Sequence, residues 1–141
     1  MKGRFFMKDC NCIFCKIAGG EIPSATLYED EEFRVILDVN PATKGHALVL
    51  PKDHYANLFE IPSDVLTRAV LVAQKISARL FEGLHATGLN LIQNNGLSAG
   101  QTVFHFDLHM IPRYDNDNAM VAWKPGKLTE EDRDQVLALF S

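Results

Sequence analysis

The sequence predicts a single α+β domain in which an antiparallel sheet of about five strands packs with one long and one short helix. Three observations indicate this class: short runs rich in β-branched and aromatic residues, one long stretch with helical spacing, and a later segment that alternates strictly. With 141 residues, 47% of them hydrophobic, the chain is long enough to bury one core. We assign the domain to residues 12–141 and expect residues 1–11 to be a flexible leader.

Four short strands are expected before the alternating segment. Three of them lie in the first part of the chain, at Ala25–Tyr28, Phe33–Leu37 and His46–Leu50. Turn residues separate them: an acidic run at positions 29–32, then a segment at positions 40–45 that contains proline and glycine. A fourth strand is expected at positions 89–94.

The long helix is predicted over Ser63–Leu84, because apolar residues recur there at helical spacing. They are Val65, Ala69, Val72, Ala73, Ile76, Leu80 and Leu84. Ser63 is expected to cap its N-terminus. A short terminal helix is predicted to open at Thr129, in a pattern similar to a capping box with Asp132 in the place of the usual glutamate.

The segment Gln101–Arg113 carries the strongest functional signal. As a half-buried strand it would direct its apolar residues into the core: Phe104, Phe106, Leu108 and Met110. The opposite face would then present His105, Asp107 and His109. Three ionisable side chains in a row are costly to half-bury unless they hydrogen-bond, bind a ligand or perform chemistry. The pattern therefore predicts a functional site rather than a solvated strand face.

The loop at positions 94–102, directly before this segment, has the composition of an anion site. Its two glycines allow backbone amides to approach an anion closely, and Asn94, Gln101 and Thr102 add neutral donors. Such loops are common in hairpins, so the prediction depends on the ionisable segment that follows.

Three cysteines stand near the start of the chain, at positions 10, 12 and 15. In a cytosolic chain a Cys-x-x-Cys pair suits a metal or a redox couple better than a disulfide framework. Tetrahedral structural zinc needs four ligands, so two more would have to come from elsewhere in the chain. The alternative is that Cys12 and Cys15 are buried free thiols.

Composition argues against two classes of partner. The formal charge of −4 and the isoelectric point near 5.7 do not suit a broad nucleic-acid-binding surface. No apolar run has the length of a membrane span. We therefore expect a cytoplasmic protein that binds neither nucleic acid nor membrane.

Several motifs resemble one known family. Gly100-Gln-Thr-Val103, followed by the alternating histidines, is similar to the signature of the histidine triad (HIT) superfamily, in its bacterial or histidine triad nucleotide-binding branch. Other matching motifs precede it in the same order: Cys12-Ile-Phe-Cys15, Gly20-Glu-Ile-Pro23, Tyr28-Glu-Asp30, Leu37-Asp38, Pro41, Gly45-His46, Pro51-Lys52 and His54. Together they cover residues 12–113. One position departs, because Asp107 stands where the family has the middle histidine.

The resemblance implies a HIT-like fold, a homodimer, and a purine nucleotide such as AMP or a nucleotide conjugate as ligand. The catalytic positions would be Asp107, at the nucleophile position, with His105, His109 and His46. The base pocket would be lined by Ile13, Phe14, Ile17, Ile36 and Leu37, the ribose held by Asp38, and the phosphate held by Asn94, Gly100, Gln101 and Thr102. Structural zinc would be held by Cys12, Cys15, His54 and His105.

In intact members of the family the middle histidine attacks the α-phosphate of nucleoside phosphoramidates or dinucleoside polyphosphates and forms a nucleotidyl-histidine. Asp107 is shorter and is anionic near neutral pH, so we expect little of this activity. Two functions remain: an impaired nucleotide hydrolase or transferase, and a non-catalytic nucleotide-binding or regulatory module.

A further hypothesis places one catalytic metal ion on His105, Asp107 and His109. On an extended strand the two histidines would stand roughly 13 Å apart, at about 3.3 Å per residue. They could share one ion only if the chain bends between them.

Overall fold

The computed structural model describes residues 6–119 and 122–141. Its helices are α1 (Ile13–Ala18), α2 (Ser63–Gly83) and α3 (Glu130–Ala138), and a 3₁₀ turn covers Leu97–Ala99. Its strands are β1 (Thr26–Glu29), β2 (Phe33–Leu37), β3 (Ala47–Pro51), β4 (Gly88–Ile92) and β5 (Leu108–Arg113). No helix within the two described ranges has the length and hydropathy to cross a membrane.

The five strands form one antiparallel sheet in the order β1-β2-β3-β5-β4, which confirms the predicted α+β class. Leu48 of β3 pairs with His109 of β5, so the end of the functional segment lies inside the sheet rather than at an edge. β1 and β4 form the two edges. β1 is irregular, because its pairing with β2 shifts between Thr26 and Tyr28.

One face of the sheet packs against α2. The helix buries Val65, Ala69, Ala73 and Ile76, which confirms the face predicted from their periodicity. These side chains meet buried residues of the strands and of the segment before β5: Phe33, Val35, Ala47, Val49, Phe106, Leu108 and Met110.

The opposite face packs against α1. Successive residues of a strand point to opposite faces, so Ile36, Leu48 and Leu50 form a second core cluster there. α1 covers this cluster with Phe14, Ile17 and Ala18. This helix is additional to the two that the sequence predicts, because its six residues are too few to reveal a helical period.

The helix ends confirm one predicted cap and correct another. Thr129 caps α3 as predicted, since its hydroxyl oxygen accepts from the Asp132 N–H at 3.1 Å. Ser63 is the first residue of α2 rather than its cap. The cap position is Pro62, and no side-chain hydrogen bond closes this end.

The functional segment is a strand only in its second half. A tight turn centred on Phe104 precedes it, in which the His105 N–H donates to the carbonyl two residues earlier at 2.9 Å. The Phe106 N–H then donates to the Tyr55 carbonyl at 2.6 Å instead of to a neighbouring strand. The turn leaves Phe104 47% exposed, so its predicted burial is wrong, whereas the other three apolar residues of the segment are buried as predicted.

Residues 1–5 of the expected leader lie outside the described residues. The part that is described contacts the chain just after β3. The Met7 N–H donates to the Asp53 carboxylate at 2.8 Å, and the Met7 carbonyl accepts from the His54 N–H. The leader is thus held at two backbone positions next to one of the histidines.

Candidate functional site

His105 belongs to a compact cluster of sulfur and nitrogen atoms. Its Nδ1 lies 3.5 Å from the Sγ of Cys12 and 3.5 Å from that of Cys15, while His54 Nδ1 lies 3.2 Å from Cys15 Sγ. One ligand atom from each of the four side chains lies within 4.8 Å of the others. α1 and its cap bring the two cysteines, the segment after β3 brings His54, and the tight turn before β5 brings His105.

The orientation of His105 suits a metal ligand. Its Nε2 lies 2.8 Å from the Pro51 carbonyl, which can only accept, so the ring proton is on Nε2 and the Nδ1 lone pair faces the two sulfur atoms. Metal-bound histidines commonly donate their other ring N–H to such a carbonyl. Burial lowers the pKa of His105 to about 4, which keeps the ring neutral as a metal requires.

The two sulfur atoms also favour a cation. Burial raises the pKa of Cys15 to about 11, so a cation is needed to hold this sulfur as a thiolate at neutral pH. Two cysteines and two histidines are a common tetrahedral zinc set. The cluster of Cys12, Cys15, His54 and His105 can therefore hold a metal ion.

A second group of side chains connects His46, His109 and Asp107. His109 Nε2 lies 3.1 Å from Asp107 Oδ1, and His109 Nδ1 lies 2.9 Å from His46 Nε2. The Ala42 N–H donates to His46 Nδ1 at 2.9 Å. An amide nitrogen can only donate, so His46 carries its proton on Nε2 and donates it to His109, which in turn donates to Asp107. The result is a directed chain of hydrogen bonds that ends on a carboxylate.

The surroundings of His46 and His109 also shift the pKa values of these two imidazoles. Burial lowers the pKa of His46, and the charge of Asp38 offsets only part of that effect. Burial also acts to lower the pKa of His109, but the hydrogen bond to Asp107 and the charges of both carboxylates outweigh it, so this pKa is raised. The two adjacent imidazoles therefore differ in the ease with which they take up a proton.

Asp38, His46 and His109 also present ligand atoms within 4.8 Å of one another. The Ala42 amide argues against a metal ion on them, because a metal on His46 Nε2 would move the ring proton to Nδ1, where it would face the Ala42 N–H. Among the described residues, His105 and His109 belong to two different groups of side chains that could hold a metal ion. The structure thus gives no support to one ion shared by these two histidines.

A pocket of about 350 Å³ opens beside Asp107 and His109. Its apolar lining comes from α1, β2, β3 and two loops: Ile13, Phe14, Ile36, Leu37, Val39, Leu48 and Val103. Its polar lining comes mainly from the ends of β2 and β5 and from the loop after β4: Asp38, Asn40, Asn94, Gly100, Gln101, Thr102, Asp107 and His109. An apolar wall and a glycine-containing loop thus share one cavity with two carboxylates.

Four of the predicted ligand-binding and catalytic residues have a different place or role from the one expected. His105, predicted both as a catalytic residue and as a metal ligand, lies with the cysteines and does not line the pocket. Ile17 packs into the second core cluster, and His46 stands behind His109, so neither lines the pocket. Gln101 lines it, but its side chain holds the loop: its oxygen accepts from the Gly96 N–H at 2.9 Å and its nitrogen donates to the Ala56 carbonyl at 2.7 Å.

The sequence reasoning missed four lining residues: Val39, Asn40, Leu48 and Val103. Two of them directly follow Asp38, one directly follows Thr102, and Leu48 stands two residues after His46. Adjacency to a predicted residue was the signal that could have identified them.

Comparison with known proteins identifies the family. A HIT domain matches residues 19–116. This chain belongs to the HIT family. A crystal structure of a HIT family protein from Bacillus anthracis is similar to this HIT protein with a TM-score of 0.85 and 38% identity, over 94% of this chain and 96% of that one.

Two further relatives bear on chemistry. A zinc-bound histidine triad family protein from Mycobacterium smegmatis is similar with a TM-score of 0.75 and 40% identity, over 92% of this chain and 95% of that one. The adenosine 5′-monophosphoramidase of Saccharomyces cerevisiae is 39% identical over 125 residues, which are 89% of this chain and 77% of that protein. The relatives of this HIT protein thus include a zinc-bound protein and an adenosine 5′-monophosphoramidase.

Several contacts hold the loop of the HIT domain that carries His46. The Asp38 N–H donates to the His46 carbonyl at 2.9 Å, and the buried Thr43 hydroxyl donates to the Pro112 carbonyl at 2.6 Å. Gly45 has a φ of +92°, and a Cβ added there would lie 2.5 Å from Leu84 Cδ1. The loop therefore fits closely against β5 and the end of α2.

Proposed function

We propose that this HIT protein binds a purine nucleotide, such as AMP or a nucleotide conjugate, and has little nucleotidyl-transfer activity. The observation that carries the proposal is the 350 Å³ pocket, which has an apolar wall and a glycine-containing loop but places Asp107 beside His109. The activity of the yeast relative, an adenosine 5′-monophosphoramidase, makes a nucleoside phosphoramidate the reference substrate.

The lining supports each part of a nucleotide in turn. The apolar wall, with Phe14 and Ile36, suits a base, which is planar and largely apolar on its faces. The Asp38 carboxylate suits the two ribose hydroxyls, because it accepts hydrogen bonds and already has one oxygen occupied by the Asn40 N–H at 2.8 Å. Thr102 and the backbone at Gly100, where φ is +94°, suit a phosphate.

Asp107 is the reason that we expect low transfer activity. A neutral imidazole attacks phosphorus without bringing negative charge toward a phosphate, whereas a carboxylate repels it. The Asp107 carboxylate also accepts the His109 Nε2 proton at 3.1 Å, so one of its oxygens is already engaged. An acyl-phosphate route would need a cation to offset this charge.

The test is turnover of a fluorogenic adenosine phosphoramidate by the native chain and by Asp107→His, with AMP binding measured on both. We expect both proteins to bind AMP and only Asp107→His to turn over. Native turnover within about tenfold of the variant would refute the impairment. If neither protein turns over the phosphoramidate while both bind AMP, the chain is better described as a non-catalytic binding module. The contact between His109 and Asp107 also favours this second function.

The metal cluster supports a structural zinc ion as cofactor. Cys12, Cys15, His54 and His105 would hold it, and it would supply a link between α1, the end of β3 and the turn before β5. With all four positions given to protein ligands, such a site leaves no open position for substrate.

The exposed face of α2 and the β4 edge support a homodimer. This surface is an open groove with mainly apolar lining: Val70, Leu71, Ala73, Gln74, Ser77, Ala78, Phe81, Glu82, Leu89 and Leu91. Exposed apolar patches rimmed by polar residues are typical of protein interfaces. A second copy, meeting the first about a two-fold axis, would cover the groove with the same surface.

Two leucines on opposite edge strands provide a matched test of the dimer. Leu91 on β4 is 48% exposed and Leu27 on β1 is 41% exposed. We expect Leu91→Lys to shift the protein to a monomer in sedimentation equilibrium and Leu27→Lys to leave the dimer intact. A native chain that is already monomeric, or a dimer lost only in Leu27→Lys, contradicts the proposal.

A further inference from the structure

The described part of the leader, residues 6–11, is bound to the segment that carries one of the candidate metal ligands. The Met7 N–H donates to the Asp53 carboxylate at 2.8 Å. The Met7 carbonyl accepts from the N–H of His54, the next residue after Asp53. We call residues 6–11 the strap, because the chain runs from this attachment directly to the first cysteine of the metal cluster.

The middle of the strap contacts both cysteines of the cluster. The Asp9 carbonyl accepts from the Cys12 N–H at 3.0 Å. Burial raises the pKa of Cys15, and a backbone hydrogen bond from Asp9 to this sulfur acts in the opposite direction. Hydrogen bonds from outside a ligand set commonly orient metal ligands and tune them. The backbone of the strap thus touches three of the four residues that can hold the metal ion.

A cavity of about 290 Å³ lies between the strap and the segment of α1. Cys15 contributes to its wall, yet this residue is buried, with 1% of its surface exposed. An approach from solvent toward the cluster therefore passes between the strap and α1. The lining residues are Lys8, Asp9, Cys10, Cys15, Lys16 and Glu21.

The strap is attached in a way that allows it to open. Its side chains at positions 7–11 are all exposed, so lifting these residues away exposes little additional apolar surface. Segments that are held by backbone hydrogen bonds and bury few side chains can open locally while the rest of the domain stays folded. Cys12, Cys15 and His105, in contrast, are buried in the domain.

From these contacts we propose that the strap is a gate for the metal ion, which slows exchange of the ion when it is closed and permits exchange when it opens. The Met7–Asp53 hydrogen bond is the latch of this gate, because it ties the strap to the segment after β3. This inference rests on the structural zinc ion of the proposed function and does not depend on the nucleotide pocket.

The test measures how fast a coloured chelator, 4-(2-pyridylazo)resorcinol, removes zinc from the zinc-loaded full chain. Two latch variants break the same bond from opposite sides: Asp53→Ala removes the acceptor, and Met7→Pro removes the N–H. Each has a matched control, since Asp53→Asn keeps an acceptor oxygen and Met7→Ala keeps the N–H while shortening a side chain that is 71% exposed.

We expect each latch variant to release zinc at least about tenfold faster than the native chain, and each control to release it at nearly the native rate. The double variant Asp53→Ala, Met7→Pro should be no faster than either single variant, because both remove one bond. Cobalt(II) in place of zinc reports the ligand set through its absorption, and we expect the same spectrum for all of these proteins.

The other outcomes refute the gate. Release from the latch variants at the native rate shows that the strap does not limit exchange, and equally fast release from the controls shows that the latch bond is not the cause. A changed cobalt spectrum in the latch variants means that the contact shapes the ligand set instead of closing over it. A native chain that binds neither zinc nor cobalt refutes the structural zinc ion and the gate together, while AMP binding tests the nucleotide pocket separately.

Discussion

Replacing Gly45 by alanine should destabilise the domain through two separable effects. A φ of +92° is strained for any residue with a Cβ, at a cost of about 1–3 kcal/mol. The new Cβ would also lie 2.5 Å from Leu84 Cδ1 and 3.2 Å from Pro112 Cγ. The leucine can partly turn away but the proline ring cannot, which adds about 1–3 kcal/mol of overpacking. We expect a total loss of about 2–6 kcal/mol in the free energy of unfolding.

Two other glycines separate these effects in the same assay, equilibrium unfolding in urea with the midpoint and slope measured for each variant. Gly96 has a φ of +88°, and a Cβ added there would meet nothing within 4 Å, so Gly96→Ala measures strain alone. Gly83 ends α2 with the same free space and no positive φ, so Gly83→Ala should be neutral or stabilise by up to about 1 kcal/mol. If Gly45→Ala loses no more than Gly96→Ala, the close approach to β5 and α2 does not limit this position.

Three further results follow from the site. Elemental analysis of the purified protein should find no zinc in the double variant Cys12→Ser, Cys15→Ser, whereas the control Cys10→Ser should retain it. Zinc bound to both the double variant and the control would show that the two cysteines are not metal ligands. The pKa of His109 is raised, so this residue contributes to stability below about pH 6.5, and the contribution is lost as the pH rises through the raised pKa. In Asp107→Asn, NMR titration should find the pKa of His109 below its ordinary value, because the effect of burial remains when the carboxylate is gone. Thr43→Val should cost about 1–3 kcal/mol in thermal unfolding, because it leaves a buried carbonyl without its donor, and Thr43→Ser should cost less.

Elements that repeat one local pattern were predictable from sequence. The boundaries of β2 match the prediction, and α2 ends one residue before the predicted end, because burial on one side of a strand or helix imposes a regular spacing on the apolar residues. The family motifs identified the four residues that converge in a group able to hold a metal ion. Most of the predicted nucleotide-binding residues line one pocket.

The features that escaped prediction depend on contacts between distant segments. Alternation continues unbroken through Phe104, yet the hydrogen bond between Phe106 and Tyr55 takes the backbone out of the sheet there. No spacing rule indicates that Ala42 would donate to His46 and so fix the ring proton. Separation of His105 from His109 likewise follows from the turn and from the cysteines that α1 supplies, not from the strand period.

The two edges of the sheet differ in a way that limits how the protein can assemble. On the β1 side the pairing is irregular, and Glu29 forms ion pairs with Arg34 at 2.8 Å and with Lys52 at 2.7 Å, features that discourage an added strand. β4 reads Gly-Leu-Asn-Leu-Ile and has no charged residue. A filament that grows by strand addition needs an available edge on both sides of each subunit, whereas strand addition at one edge alone stops at a pair. The difference between the two edges would therefore limit fibre formation by strand addition in concentrated solutions of this protein.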